Sequence, residues 1–299
     1  MGILGNLSPD IQQISIDEAF VDISGMGDPI SVARKLQTEI KEGIGLPCSI
    51  GIATNKLVAK IATDVGKLSS KSGGPPNALT WVKSGEEASF LAPLKVDLLW
   101  GVGPKTAAKL AVHGIEKIGD LAHQSEDDLI RWFGEYGRYL RLRALGMDES
   151  HLHTNRSARS LSQETTFARD VRDDRQLEGT LRYLSEKVGR RLRKSGLAGT
   201  TVKIKLRWPD FKTITRQMTL PALVDQDDEI CSAALILLHA ARPKGKPVRL
   251  IGVGVSGIKP PLRQLGLWDD HSERRRKLQH AVDLLQQKFG KKVIHRGNR

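Results

Sequence analysis

The chain has 299 residues, 39% hydrophobic and 27% charged, an ordinary globular balance that excludes disordered, collagenous and repeat classes and leaves room for about two domains. No apolar run reaches the ~18 residues of a membrane span, and the opening MGILGNLSPD has no basic stretch ahead of a long apolar one, so no membrane attachment and a reducing cytoplasm are expected, in keeping with only two cysteines, Cys48 and Cys231. The net charge of +13 is strongly uneven: 8 cations face 10 acids in residues 1–90, 8 face 9 in 91–150, 21 face 11 in 151–260 and 10 face 4 in 261–299. A neutral front half followed by a cationic rear half is the layout of a chain that grips a polyanion with its rear.

Ile14 and Ile16, then Ala19, Val21 and Ile23, alternate as two short strands. Asp28 and Pro29 open a helix with Val32, Leu36 and Ile40 on one face, and Gly43 is its expected stop. A strand follows at Cys48, Ile50 and Ile52. A second helix begins after Thr54 or Asn55 with Leu57, Val58, Ile61 and Val65 apolar, residues 67–77 form a polar loop, and 79–82 form one more strand. From 86 to 150 the pattern is helical, with glycines punctuating it at Gly101, Gly103, Gly114, Gly119, Gly134, Gly137 and Gly146. Residues 151–160 are polar and without period, a linker.

The next hundred residues read β-α-β-β-α-β, the split βαβ plan. A strand at 162–167 precedes a helical stripe of Leu177, Leu181, Leu184, Val188 and Leu192. Strict alternation at Val202, Ile204, Leu206 and Trp208 and a strand at 213–220 follow. A helix then starts in the acidic cluster 225–229, and 247–258 form the last strand. Beyond Pro260 lies a polar tail with one short helix around Leu278, Val282 and Leu285.

Asp17 and Glu18 sit between two strands, where paired carboxylates can hold divalent cations against a triphosphate. Alone, such a pair is common in solvated turns. Its context is specific: SIDEAFVDISG followed by SIGIATNKLVAKIATDVGK resembles the palm of Y-family translesion DNA polymerases of the DNA polymerase IV branch. The resemblance implies that Asp17 and Glu18 are catalytic metal ligands for Mg2+, two ions in the complete family site. It also implies that Lys60 contacts the incoming deoxynucleoside triphosphate, although Lys56 and Asp64 one turn away fit an ordinary solvated helix face equally well.

Gly101-Val102-Gly103-Pro104-Lys105-Thr106 has the form of a helix-hairpin-helix turn, whose backbone N–H groups can hold a DNA phosphate without reading a base. A plain helical hairpin is the competing reading. The family places this element in its thumb, on primer-template DNA. Lys203, Lys205 and Arg207 alternate with the apolar residues of their strand, so one face packs while the other offers cations to DNA, and Arg190, Arg191, Arg193 and Lys194 add to the supply. The family's little finger domain has this topology and role. Gln264, Leu265, Leu267 and Trp268 are similar to the short peptide by which bacterial polymerases dock on the sliding clamp, with Trp268 where Phe is commoner; a tail patch folding back on its own domain is the alternative.

The resemblance implies an α+β architecture: a partial ferredoxin-like palm in 1–85, an all-α thumb with the helix-hairpin-helix in 86–150, a linker in 151–160, a split-βαβ little finger in 161–260 and a clamp-binding tail in 261–299, working as a monomer. Family members carry a strand with another metal-binding Asp and a fingers domain, whereas 16 residues precede Asp17 here. The expectation is therefore an N-terminally shortened translesion polymerase with impaired catalysis, in which Asp10, Asp22 or Asp64 could replace the further ligand. The competing classes are a non-catalytic DNA- and clamp-binding protein and a helix-hairpin-helix nuclease or repair scaffold.

Overall fold

Residues 2–69, 76–154, 158–261, 270–290 and 293–294 are described by the computed structural model, which divides into two units, Met1–Arg156 and Ser157–Arg299. The first unit opens with α1 (Gly2–Leu7) and an antiparallel hairpin of β1 (Ile11–Gln13) and β2 (Ala19–Val21), with Ile11 opposite Val21 and Gln13 opposite Ala19. The first strand thus lies three residues ahead of the expected Ile14–Ile16 pair. Both Ile14 and Ser15 donate their N–H to the Glu18 carbonyl, which turns the chain, and Ile16 stands fully exposed at the tip. Alternation alone cannot distinguish a strand from a turn that happens to carry two isoleucines.

Helix α2 (Pro29–Ile44) is capped as expected by the Asp28 carboxylate, which accepts from the Ser31 N–H at 2.9 Å. It runs through Gly43 and ends at Gly45, whose φ of 70° provides the left-handed cap. β3 (Ile50–Ile52), α3 (Lys56–Ser69) and β4 (Leu79–Trp81) then form a parallel βαβ unit, with Ile50 beside Leu79. The Asn55 side chain accepts from the Val58 N–H at 3.0 Å and starts α3. That helix extends to Ser69, into the stretch expected as loop.

Four short helices and one longer one follow: α4 (Glu87–Leu91), α5 (Pro104–Ala111), α6 (Ile118–His123), α7 (Glu126–Phe133) and α8 (Glu135–Ala144). Their buried residues Leu91, Leu110, Ile118, Leu121 and Leu140 share one hydrophobic cluster with Leu57, Val58 and Ile61 of α3. The helix that carries Lys60 is therefore seated on the helical segment by a common core, not only on its own sheet.

The second unit has β5 (Ser160–Val171), α9 (Asp174–Lys194), β6 (Gly199–Arg207), β7 (Thr213–Val224), α10 (Asp227–Ala241) and β8 (Val248–Ser256), the expected β-α-β-β-α-β order. The four strands make an antiparallel sheet in the order β5-β8-β6-β7. Leu177, Leu181, Leu184, Val188 and Leu192 of α9 and Ile230, Ala234 and Leu238 of α10 pack with Val202, Ile204, Leu206, Val253 and Val255 on one face of that sheet; among the described residues no helix covers the other face. The tail helix α11 (Asp270–Phe289) is longer than expected and lies against α9: Arg193 bonds Asp283 at 2.6 Å and Asp227 at 2.8 Å. Among the described residues no helix is long and apolar enough to cross a membrane.

Candidate active site and nucleic-acid interface

The turn that displaces Ile14 and Ile16 from the strand also aims the two acids. Asp17 sits at the exposed tip, where the Ser15 hydroxyl donates to its carboxylate at 2.6 Å. That bond, then a backbone N–H bond and the more distant Lys67 and Lys60 ammonium groups hold the Asp17 carboxyl below the usual carboxylate range. Glu18 is half-buried and faces α3. Lys60 Nζ lies 2.7 Å from Glu18 Oε1 and 3.2 Å from Asp64 Oδ1, and Lys67 Nζ lies 3.7 Å from the same Glu18 oxygen. Burial pulls the Lys60 ammonium down, but the bonds from Glu18 and Asp64 outweigh it and keep it above the ordinary lysine value.

Asp17, Glu18, Lys60 and Lys67 all line one cavity of about 250 Å³, whose remaining walls are largely apolar side chains such as Leu36 and Ile50. A second cavity of about 420 Å³ is lined by Asp64, Lys67, Asp97, Trp100 and Gly101. Lys67 belongs to both, so the charged cluster and the hairpin turn border neighbouring hollows. Lys67 was missed in the sequence reading, which placed it in a loop. Its signal was present in the spacing: Lys60, Asp64 and Lys67, at i, i+4 and i+7, share one face of a helix.

Adjacent carboxylates on a cavity wall are oxygen donors of the kind Mg2+ takes, and Mg2+ is commonly held by one or two carboxylates with substrate phosphates completing its shell. The Asp17–Glu18 pair fits that partial role. Among the described residues no three acid, His or Cys side chains converge as a ready-made metal site. Of the three candidate replacements, Asp64 joins the cluster through Lys60, whereas Asp10 and Asp22 meet each other at the open end of the hairpin, where the Asp22 N–H bonds the Asp10 carbonyl at 3.0 Å.

At the helix-hairpin-helix pattern, Gly101 has a φ of 100° and Gly103 takes the extended conformation that starts α5, with Pro104 at its first position. Lys105 is exposed and Thr106 half-buried. Their N–H groups precede the first bond of the helix, from the Ala107 N–H to the Gly103 carbonyl at 2.9 Å, and so are open to an outside acceptor.

On the helix-free face of the second unit, Lys203, Lys205 and Arg207 form a row on β6. Gly254 and Gly252 of β8 stand directly beside Lys203 and Lys205, and Thr215 and Gln217 of β7 flank the row on the other side. The absent side chains at the two glycines make room for their neighbours: a Cβ at Gly252 would stand 2.8 Å from Glu164 Cβ, and one at Gly254 would stand 3.2 Å from Lys203 Cε. Lys205 pairs with Glu164 at 2.9 Å, and the Arg207 Nε donates to Thr213 at 2.9 Å.

Three of the four cations in the second expected run are engaged elsewhere, and Lys194 stays exposed. Arg193 is nearly buried between Asp227 and Asp283, Arg190 is bonded to Gln286, and Arg191 donates to the Ser162 carbonyl at 3.0 Å. Those arginines tie α9 to its neighbours because the groups they meet are brought in from distant segments. The peptide of Gln264, Leu265, Leu267 and Trp268 lies outside the described residues.

Comparison with known proteins gives a consistent result along the chain. Residues 1–64 match the impB/mucB/samB family, residues 84–115 its helix-hairpin-helix motif and residues 158–267 the C-terminal domain of that family. A DNA polymerase IV of Dehalococcoides mccartyi strain BAV1 is 37% identical over 302 residues, covering 99% of this chain and 75% of its own. One from Moorella thermoacetica is 37% identical over 301 residues, covering 98% and 73%. Among solved structures, a Y-family DNA polymerase chimera of Dbh and Dpo4 superposes with a TM-score of 0.75 at 24% identity, covering 86% of this chain and 74% of the chimera. An insertion ternary complex of Dbh DNA polymerase gives a TM-score of 0.56 at 25% identity over the same shares.

Proposed function

The chain belongs to the Y-family of DNA polymerases, a family of nucleotidyltransferases, and from that premise we propose that it adds deoxynucleotides to a primer opposite damaged template, with Asp17 and Glu18 as its catalytic carboxylates. In this reading residues 1–85 are palm, 86–150 thumb, 151–160 a linker, 161–260 little finger and 261–299 a tail whose Gln264, Leu265, Leu267 and Trp268 dock on the sliding clamp. The enzyme acts as a monomer in the cytoplasm on primer-template DNA and deoxynucleoside triphosphates.

The observation that carries this reading is the convergence of Asp17 and Glu18 with Lys60 and Lys67 on one cavity, from a hairpin and a helix some forty residues apart. In the reaction, the primer 3′ hydroxyl oxygen bonds to the α-phosphorus while the bond to the leaving pyrophosphate breaks. Bound Mg2+, held by Asp17 and Glu18, would neutralise the triphosphate and favour the ionised hydroxyl. Asp17, like any carboxylate near its ordinary value, is ionised at neutral pH, and the Ser15 hydroxyl bond favours that form, so its oxygens are available to a metal. Lys60 and Lys67 exchange Glu18 for phosphate oxygens when the nucleotide enters, which needs little rearrangement because both already line the cavity. Gly101, Gly103, Lys105 and Thr106 hold the DNA backbone at the hairpin, and Lys203, Lys205 and Arg207 hold it at the sheet.

With Asp17 and Glu18 as the assigned carboxylates, the expected incorporation is slow. Primer extension with Mg2+ and all four nucleotides tests both halves of the reading. Slow incorporation abolished by D17N supports it; incorporation as fast as that of a complete relative refutes the weak-catalysis half. DNA and clamp binding with no incorporation at any enzyme concentration would favour the non-catalytic alternative.

A further inference from the structure

Two side chains of α8 reach the hairpin turn and tie down consecutive carbonyls. Tyr136 Oη donates to the Gly101 carbonyl at 2.8 Å, and Arg143 Nη1 donates to the Trp100 carbonyl at 2.8 Å. They are seven residues apart, two turns along one face of α8, whose Leu140 and Ala144 are anchored in the core. Gly101 belongs to the same arrangement. At its φ of 100° a Cβ would stand 2.7 Å from Arg143 Nη1, so the guanidinium fills the space a side chain would need.

The two groups of a peptide point in opposite directions across one plane. Drawing the Trp100 carbonyl toward α8 therefore aims the Gly101 N–H away from it. Among the described residues that N–H has no hydrogen-bond partner, nor has the Gly103 N–H; the Val102 N–H between them closes the turn on the Leu99 carbonyl at 2.8 Å. With those of Lys105 and Thr106, these N–H groups make a run of donors ahead of α5, while the two carbonyls that would repel an anion are occupied.

We infer that Tyr136 and Arg143 are positioning residues for backbone-phosphate binding at the helix-hairpin-helix turn: from α8, Arg143 holds the Trp100 carbonyl so that the Gly101 N–H faces a DNA phosphate, and Tyr136 occupies the Gly101 carbonyl that would otherwise repel it. The inference rests on the reading of that turn as a DNA-backbone site, and it concerns side chains outside the turn itself.

The test compares Y136F, which removes one neutral donor, with K105A and Y139F, using the full chain and a primer-template duplex over a series of salt concentrations. Y136F is expected to bind about three- to tenfold more weakly with an unchanged salt slope, since one hydrogen bond is lost and no cation is removed. K105A should weaken binding and lower the slope, and Y139F should change neither. Amide resonances of Gly101 and Val102 should shift in Y136F while those of the core residues Ile61 and Leu121 stay in place, which a general loss of structure would not produce. If K105A weakens binding and Y136F does not, the positioning role is wrong and the hairpin reading stands. If K105A also binds as the parent does, the hairpin reading fails and this inference with it.

Discussion

Glu18 Oε1 and Lys60 Nζ meet at 2.7 Å across 42 residues of sequence, joining the tip of a hairpin to the middle of a helix. Asp64 and Lys67 complete the group, so the acids of the hairpin face a strip of alternating charge on α3. The pair is only partly exposed, so solvent and salt screen it less than a fully exposed surface pair.

Removing either acid should stop chemistry with little effect on folding. D17N and E18Q are each expected to lower single-nucleotide incorporation by roughly 100-fold or more, since under the proposed function each would remove a charged ligand acting on the reacting phosphates. K60A and K67A should instead raise the apparent KM for nucleotide several-fold. Steady-state incorporation with denaturation controls separates the two patterns; equal effects on kcat from all four variants would contradict the assigned roles.

The row on β6 should act through charge. Replacing Lys203, Lys205 and Arg207 together by Gln removes up to three phosphate contacts, each worth ~0.9 in the slope of log affinity against log salt on duplex DNA. Binding at low salt should fall by at least tenfold, with similar loss on unrelated sequences. Sequence-dependent loss at constant slope would mean that the row reads bases.

Ile61 is fully buried beside Lys60, on the face of α3 that enters the core shared with the later helices. I61A should cost about 2–5 kcal/mol of stability. Urea unfolding measures it directly, and a change below about 1 kcal/mol would show that α3 is not seated as described.

Asp227 supplies a pH dependence in the second unit. Its pKa is raised to about 6, first by burial, against which Arg193 pulls it down, while Asp283 and Glu186 push it up. Between the ordinary value of 3.8 and about 6 the folded chain keeps a proton that the unfolded chain releases, so this group's contribution to stability is present at low pH and is lost as pH rises through 6. D227N cannot ionise, and its stability relative to the parent should therefore improve from pH 4 to pH 6.5 in chemical denaturation. Parallel curves for the two proteins across that range would remove Asp227 as the source.

Local rules in the sequence determined a good deal. Asp28 capping α2, the leucine stripe of α9 and the alternation of Val202 to Trp208 each depend on neighbours within a few residues, and the β-α-β-β-α-β order follows from them. The family could also be read there, because its motifs are contiguous. Tertiary structure decided what long-range partners settle. Ile14 and Ile16 lie in a turn because Glu18 closes it, Arg193 is neutralised by acids 34 and 90 residues away instead of facing DNA, and Lys67 joins the acidic pair only because α3 continues past the expected end. Tyr136 and Arg143 carry no local signal at all, since the carbonyls they hold belong to a turn some forty residues earlier. Periodicity records which face of an element is buried; it does not record which charged group will be waiting on the other side.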